Sequence, residues 1–395
     1  MSNIGQAQDC ETSEAFRFTR ITKKKYVLAA IMGAVLLSGL ALAVAPRKIP
    51  SIDTVGYVYM VEGRLDLAAV PQRYRVVVPF LAHLLPLPPL SALRLITWAS
   101  LLLVYLTCFA ECSLLNIGVA SATISVLAMF CSRPNLCNYF NPFLTDGPGL
   151  LILFVLSVLF LSDRFGAFAA LLVVGVFVRE SAVFVLPAWG LTARWRRALF
   201  LGLLVTGLFM APRIAFPSHH HYGMFLADGL RSKLSLQWLL PFAMALVLSW
   251  QGIWLLAGYG LLHSSRRFRL LAAAFGLGCF ASILQASCDW ERMLAILAPV
   301  LVPSAAVAIE HAMRVNRWAV ALFVATLPLQ FLFGNNYVLQ SLAPQYHRML
   351  LTLMVTLSVV ASALVVWEAM RWMAGKHPDS LLWRRVSGAP HASKQ

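Results

Sequence analysis

The sequence predicts an all-α, polytopic transmembrane helical bundle with about 10–12 membrane segments. Of its 395 residues, 60% are hydrophobic and only 12% are charged, and the mean hydropathy is +0.75. A soluble domain carries about 25% charged residues. Apolar runs of about 20 residues, long enough to cross a bilayer, recur along the chain. A membrane β-barrel would show short alternating segments instead.

We expect one membrane domain between two polar tails. Residues 1–25 form the N-terminal tail, 26–372 the multi-pass domain with a first outer loop at 46–90, and 373–395 the C-terminal tail. The first apolar run follows a basic stretch and lacks a small-residue cleavage site, so it is predicted to be retained. The predicted apolar segments are 26–45, 91–115, 118–130, 143–161, 165–192, 198–216, 236–262, 270–287, 293–311, 318–333 and 349–367, with a shorter, proline-bounded interfacial or re-entrant helix at 76–87.

The positions of the basic residues predict the orientation. Runs at 17–25, 194–197, 266–269, 314–317 and 371–385 should all be cytoplasmic by the positive-inside rule. They agree only if segment 165–192 enters and leaves on one side, as a hairpin of two half-helices interrupted at Arg179-Glu180. A continuous helix would instead place 194–197 outside. The prediction is therefore an integral protein of the plasma (inner) membrane with both termini cytoplasmic, whose Arg179 and Glu180 face a wet cavity.

The stretch from residue 51 to 79 is the most polar part between apolar segments, and it begins the outer face. With this orientation, half of the sixteen acidic residues lie outside or near the outer half of the membrane. Ionisable groups at membrane depth are costly and tend to be functional. The outer acidic residues are Asp53, Glu62, Asp66, Asp146, Glu180, Asp228, Asp289 and Glu291, and the outer cations are Arg73, Arg75, Arg133, Arg179, Arg213, Arg231, Lys233, Arg292 and Arg348.

These residue types suit the transfer of a group from a lipid phosphate. A carboxylate can act as general base on a hydroxyl, arginine forks bind phosphate, and aromatic rings offer faces to sugars. Asp53 is the candidate catalytic residue; Glu62, Asp66 and Asp228 are interpreted as loop charge. Each of these residues also has an interpretation without function. Asp53 would be solvated or cap a helix, Arg179 and Glu180 would form a structural ion pair, and Asp289 and Arg292 would reach the membrane interface by snorkelling. The candidate substrate-binding residues are Tyr57, Arg73, Arg75, Asp146, Arg179, Glu180, Asp289 and Arg292.

Several other functions are disfavoured. The net charge of +16 lies in short runs between apolar segments, so nucleic acid is not an expected partner. Adjacent histidines at 219–221 lack the spacing of metal ligands, so no cofactor is expected and a divalent metal has no support. Cys131 and Cys137 could form a disulfide, although free thiols are favoured. The sequence has no Walker loop, no dinucleotide-binding glycine motif and no nucleophile elbow.

The arrangement resembles the GT-C superfamily of integral-membrane glycosyltransferases, which use polyprenyl-phosphate sugars. The matching pieces are Asp53 in IDTVGYVYM, the loop exit YRVVVP at 74–79, TDGP at 145–148, VRES at 178–181 and DWER at 289–292. The resemblance implies an inverting transfer with Asp53 as general base and a basic residue near Arg179 or Arg292 on the lipid phosphate. The implied partners are a polyprenyl-phosphate-linked sugar donor, a lipid or glycan acceptor of the cell envelope on the outer face, and membrane lipids.

Two alternatives remain open. A transporter or flippase for a lipid-linked or anionic solute would also use a broken helix with charged residues. Against it, the sequence shows no inverted repeat and predicts no second break, and the charges gather on one side.

GT-C members usually carry a second acidic residue beside the first-loop aspartate, whereas here the nearest is Glu62. A non-catalytic partner in an envelope-polymer complex is therefore the other alternative.

Overall fold

The computed structural model describes residues 52–68, 72–215, 236–285, 290–334 and 347–376, with a few isolated residues in 28–36 and at 227 and 231. The regular structure within these ranges is helical throughout, without a strand. Short 3₁₀ turns lie at Leu65–Leu67, Gln72–Tyr74, Glu180–Val185, Leu236–Trp238 and Ala295–Leu297. The helices are α1 (Ile52–Val61), α2 (Val77–His83), α3 (Pro89–Leu114), α4 (Val119–Cys131), α5 (Arg133–Phe140), α6 (Asp146–Leu161), α7 (Phe165–Val178), α8 (Leu186–Gly190), α9 (Trp195–Ala215), α10 (Leu239–Trp250), α11 (Ile253–Leu262), α12 (Arg266–Gln285), α13 (Trp290–Leu294), α14 (Ala298–Met313), α15 (Arg317–Gly334) and α16 (His347–Lys376).

Several of these helices have the length and composition of membrane spans, which confirms a helical, membrane-type chain. Five described spans qualify by themselves, and the bent pair α10–α11 makes a sixth if it counts as one. Shorter apolar helices, such as α4, α6 and α7, add to the bundle. The five spans are Pro89–Leu114, Trp195–Ala215, Arg266–Leu284, Arg292–Met313 and Met349–Gly375.

The predicted segment 26–45 lies almost entirely outside the described residues. Most of the other predicted bounds agree with the helices to within a few residues, except that the last segment, predicted to end at 367, continues to Lys376. The short helix expected at 76–87 is α2, which exposes the apolar side chains of Phe80, Leu81 and Leu84. Helix α5 has no counterpart among the predicted segments, because its sequence RPNLCNYF is too polar for an apolar run. The last helix continues to Lys376, beyond the predicted domain end at 372.

Segment 165–192 forms the predicted hairpin. Helix α7 ends at Arg179, whose extended backbone (φ −160°, ψ 133°) breaks the helix, and the 3₁₀ turn and α8 lead back. At its far ends, Arg194 donates a hydrogen bond of 3.1 Å to the carbonyl oxygen of Asp163 and pairs with its carboxylate. The residues before and after the hairpin therefore lie side by side at one end of the bundle.

Segment 236–262 was predicted to be continuous, and that prediction is wrong. It bends by 77° between α10 and α11, where Gln251 adopts a positive φ of 46°. The next residue, Gly252, lies against α16: a Cβ there would come within 2.4 Å of the carbonyl oxygen of Ser358. The N–H of Gly252 donates to the Ser358 hydroxyl at 3.3 Å, which satisfies one group freed by the break. A second interrupted span therefore exists, contrary to the expectation of a single one.

Small residues allow the central helices to touch. A Cβ on Gly260 of α11 would fall 1.8 Å from the carbonyl oxygen of Ser304 on α14, so these two backbones are in contact. A separate aromatic core surrounds Trp189, whose ring meets those of Phe160 and Phe168 edge-on at 5.0 and 5.6 Å. This packing sets the hairpin against α6, which begins at one end of the bundle with Asp146 and finishes at the other near Asp163.

Candidate functional site

The carboxylate of Asp146 is the centre of the charged cluster. It lies at the first position of α6 and contacts two arginines that come from distant parts of the chain. Arg292 of α13 places Nη2 at 2.6 Å and Nε at 3.1 Å from Oδ2, and Arg179 at the hairpin tip pairs with Oδ1. The positive end of the α6 dipole adds to the attraction. Asp146, Arg179 and Arg292 are therefore brought together as predicted from their positions on one face.

The sequence around Asp146 explains how the arginine comes so close. Gly149 faces Arg179, and a Cβ there would come within 2.8 Å of the arginine Cδ. Gly147 meets Thr97 of α3 in the same way, at 3.0 Å. Pro148 lies in the first turn of α6, where its missing N–H costs no helical hydrogen bond. The motif TDGPG thus combines a helix start with a surface against which a guanidinium can lie.

A second cluster surrounds Glu180 at the hairpin tip. Arg75 donates from Nε to Glu180 Oε2 at 2.9 Å and from Nη1 to the Tyr57 hydroxyl at 3.1 Å. The same hydroxyl is 3.1 Å from Oγ1 of Thr145, the residue before Asp146. Tyr57 of α1 therefore contacts both clusters, through Arg75 and Thr145.

Arg213 completes this second cluster and was not singled out from the sequence. It is 3.4 Å from Glu180 Oε1, and its guanidinium lies over the rings of Tyr74 and Phe209 at 4.3 and 3.4 Å from their centroids. Its sequence signal is an arginine directly after Pro212, inside an otherwise apolar span. Ionisable residues inside membrane-type apolar helices are costly and tend to be functional, so Arg213 belongs with Arg179 among the candidate residues.

Asp53 on α1 is held more loosely than the other two carboxylates. Gln72, a buried side chain that sequence reasoning did not identify, donates from Nε2 to Asp53 Oδ1 at 3.0 Å. Oδ2 lies 3.7 Å from Arg292 Nη1. The Asp53 side chain is 36% exposed, compared with 19% for Glu180 and 12% for Asp146. Of these three carboxylates, Asp53 is the one that a second molecule can reach.

Other predicted residues stand apart from the cluster or outside the described ranges. Arg73 lies in the 3₁₀ turn beside Gln72, but its side chain pairs with none of the carboxylates that the structure describes. Glu62 and Asp66 are exposed on the loop, in keeping with loop charge. Cys131 and Cys137 are free thiols, so the alternative of a disulfide is wrong. Asp289, Asp228, Lys233, the histidines at 219–221 and the side chains of Glu291 and Arg348 lie outside the described residues.

The site combines three carboxylates (Asp53, Asp146 and Glu180) with four arginines (Arg75, Arg179, Arg213 and Arg292). No group of three or more His, Cys, Asp or Glu in the described part of the chain is placed to hold a metal ion.

A small cavity lies behind the Asp146 cluster, between Arg179, Arg292 and the turn at Ser181. Its volume is about 10 Å³, enough for one water molecule and far too small for a sugar ring. This cavity therefore does not accommodate a substrate, and the more exposed carboxylate of the cluster is that of Asp53.

Comparison with protein-family models, with curated proteins and with solved structures returns no match for this chain.

Proposed function

We propose that the protein is a membrane glycosyltransferase of GT-C type, which moves a sugar from a polyprenyl-phosphate donor to a hydroxyl of a cell-envelope acceptor on the outer face. The observation that carries the proposal is the accessible Asp53 beside Arg292, which belongs to a cluster of four arginines. A base and an anion site within reach of each other are what such a transfer requires.

In this mechanism Asp53 accepts the proton of the acceptor hydroxyl. The acceptor oxygen forms a bond to the anomeric carbon of the sugar while the bond from that carbon to the phosphate oxygen breaks, and polyprenyl phosphate leaves with the bonding electron pair. Gln72 and Arg292 orient the two oxygens of Asp53. Arg292, which touches both Asp53 and Asp146, lies between the base and the rest of the arginine cluster.

The arginine cluster supports the leaving group. The donor is a phosphodiester with a single negative charge, an anion that arginine guanidiniums bind well. Its phosphate gains negative charge as the bond to the sugar breaks, and preorganised cations stabilise that gain. Arg75 and Arg213 share Glu180, and Arg292 bridges two carboxylates, so these guanidiniums are held in place before substrate arrives.

The test compares two conservative substitutions in one loop. Membranes from cells that make the protein, Asp53→Asn or Asp66→Asn are incubated with radiolabelled polyprenyl-phosphate hexose and pentose donors, and label in envelope glycan is counted. Asp66 is an exposed aspartate thirteen positions along the same loop, so it is the matched control. We expect Asp53→Asn to lower transfer by about 10²–10⁴-fold, the contribution of a general base, and Asp66→Asn to leave it unchanged.

Equal transfer by the Asp53→Asn variant and the unchanged protein would overturn the base assignment. No protein-dependent transfer from any donor would overturn the glycosyltransferase proposal itself. Protein abundance and membrane insertion are measured in the same membranes by immunoblotting, so that a loss of transfer refers to inserted protein.

A transporter or flippase is the second candidate, and the bend at Gln251 favours it. Secondary transporters bind their substrates at interrupted helices, and the described chain has two interruptions, at Arg179 and at Gln251. This candidate predicts that purified protein in liposomes moves a lipid-linked sugar across the bilayer without breaking its phosphate bond. It also predicts that Asp53→Asn leaves that movement intact.

A further inference from the structure

The end of the bundle opposite Asp53 carries a dense group of arginines. Seven lie within residues 164, 194–197 and 266–269, the connections that lead into α7, α9 and α12. We call this surface the arginine face. It is separate from the proposed active site, because α6 runs the length of the bundle between Asp146 and Asp163.

One aspartate holds these connections together. The Asp163 carboxylate pairs with Arg194 and, at 2.6 Å, with Arg267. Both guanidiniums also lie over the ring of Trp189, at 5.3 and 5.4 Å from its centroid. Asp163 and Trp189 therefore fix two of the arginines and bring the three connections into one surface.

The remaining arginines carry an unbalanced positive charge. Asp163 is the only acidic residue in these connections. Arg164, Arg197 and Arg266 are exposed, and their side chains make no ion pair or hydrogen bond with the residues that the structure describes. Three helices also begin here, and their positive ends add to the potential.

A role in membrane orientation alone does not explain this arrangement. The positive-inside rule requires basic residues in a connection and sets no condition on how the connections meet. The arginines near α14 and α16 provide a contrast. There Arg314 pairs with Glu310 at 3.1 Å and Arg371 pairs with Glu368 at 2.9 Å, so the charge is largely neutralised within the protein.

Apolar side chains border the arginine face. Phe200 and Leu199, in the second turn of α9, are 71% and 58% exposed, and Leu262 at the end of α11 is 74% exposed. A soluble anion would use only the arginines, whereas a lipid would use both parts of the surface. Its phosphate would meet guanidinium forks and its chains would meet the apolar border.

We propose that the arginine face binds the phosphodiester headgroup of an anionic membrane lipid, with the acyl chains along Leu199, Phe200 and Leu262. This site is independent of the proposed transferase activity.

The experiment is a lipid titration of the purified full-length protein in neutral detergent, read by native mass spectrometry. The probes are phosphatidylglycerol and, as the neutral comparison, phosphatidylcholine. The test variant is Arg164→Gln/Arg197→Gln/Arg266→Gln. The control variant, Arg314→Gln/Arg317→Gln/Arg371→Gln, loses the same charge at other connections of the chain.

We expect the unchanged protein to bind phosphatidylglycerol more tightly than phosphatidylcholine. The test variant should bind phosphatidylglycerol about a hundredfold more weakly, because each basic residue at an anionic lipid surface contributes about a factor of five. The control variant should stay within about threefold of the unchanged protein. Inorganic phosphate should not displace the lipid. If the triple variant does not fold, the three single substitutions are measured, each with an expected weakening of about fivefold.

Four results would overturn the proposal. They are equal binding of the two lipids, unchanged phosphatidylglycerol binding by the test variant, an equal loss by the control variant, and displacement of the lipid by inorganic phosphate. The last result would assign the arginine face to a soluble anion.

Discussion

The same chemical change at Asp53 and at Asp146 should have opposite consequences. Asp146→Asn removes a buried negative charge from between Arg179 and Arg292, so both guanidiniums lose their ion pair with this carboxylate. Breaking a buried pair in this way costs about 3–5 kcal/mol. Asp53→Asn removes a more exposed charge whose nearest cation is 3.7 Å away, and the new amide oxygen can still accept the hydrogen bond from Gln72. Its cost should be about 0–1 kcal/mol.

Thermal unfolding of the purified variants in one detergent measures the difference. For a chain of 395 residues, each kcal/mol corresponds to roughly 1–2 °C in the unfolding midpoint. Asp146→Asn should therefore lower the midpoint by about 3–10 °C, and Asp53→Asn by less than about 2 °C. The double variant Asp146→Asn/Arg292→Gln should lose less than the two single losses combined, because both single changes break the same Asp146–Arg292 pair.

A midpoint for Asp146→Asn within about 1 °C of the unchanged protein would refute the buried-pair reasoning. An Asp53→Asn variant as unstable as Asp146→Asn would show that Asp53 is structural. In that case its loss of transfer would no longer support a general base, even though the transferase proposal could stand on other grounds.

Three further predictions concern packing and topology. Gly149→Ala should destabilise by about 1–3 kcal/mol, because its Cβ would meet Arg179 Cδ at 2.8 Å, whereas Gly166→Ala, with open space around it, should be neutral or better in the same unfolding assay. Glu111→Leu should stabilise the protein by about 1–3 kcal/mol, since that carboxyl is fully buried and makes no hydrogen bond with the described residues; a lower unfolding midpoint would contradict this. A cysteine placed at Ala193 should react with an impermeant thiol reagent from the same side as one placed at Ser162, before the hairpin, and opposite reactivity would refute the hairpin.

The sequence predicted those features that depend on one segment at a time. Apolar runs gave most helices, because a span must satisfy its backbone internally and cover about 30 Å of hydrocarbon. The hairpin was predictable because the Arg179-Glu180 pair interrupts such a run and the basic connections leave few topologies. The placement of Asp53, Asp146, Arg179 and Arg292 at one end of the bundle followed from the topology, which put all four on one face.

The features that depend on which helices are neighbours could not be predicted. Lipid-facing and bundle-facing positions are both apolar, so the pattern carries little information on lateral order. The pairing of Arg292 with Asp146, across 146 positions of sequence, depends on that order. The bend at Gln251 depends on it too, because the contact that requires glycine at 252 is made by Ser358 on another helix. Glu111 lies in the last turn of the apolar helix α3 and gave no signal beyond its own charge.

The two ends of the molecule neutralise their arginines in different ways, and the difference bears on function. At the Asp53 end, four arginine side chains only 9–22% exposed share three carboxylates. Replacing such buried pairs by apolar side chains is often neutral or stabilising, so stability alone gives little reason to keep them. At the arginine face, one aspartate pairs with two of the seven arginines, and the other five are exposed. The first arrangement suits an anion whose charge changes during a reaction, and the second suits a headgroup that is only bound. Asp53→Asn and the Arg164/Arg197/Arg266 variant should therefore separate transfer from lipid binding, each abolishing one and sparing the other.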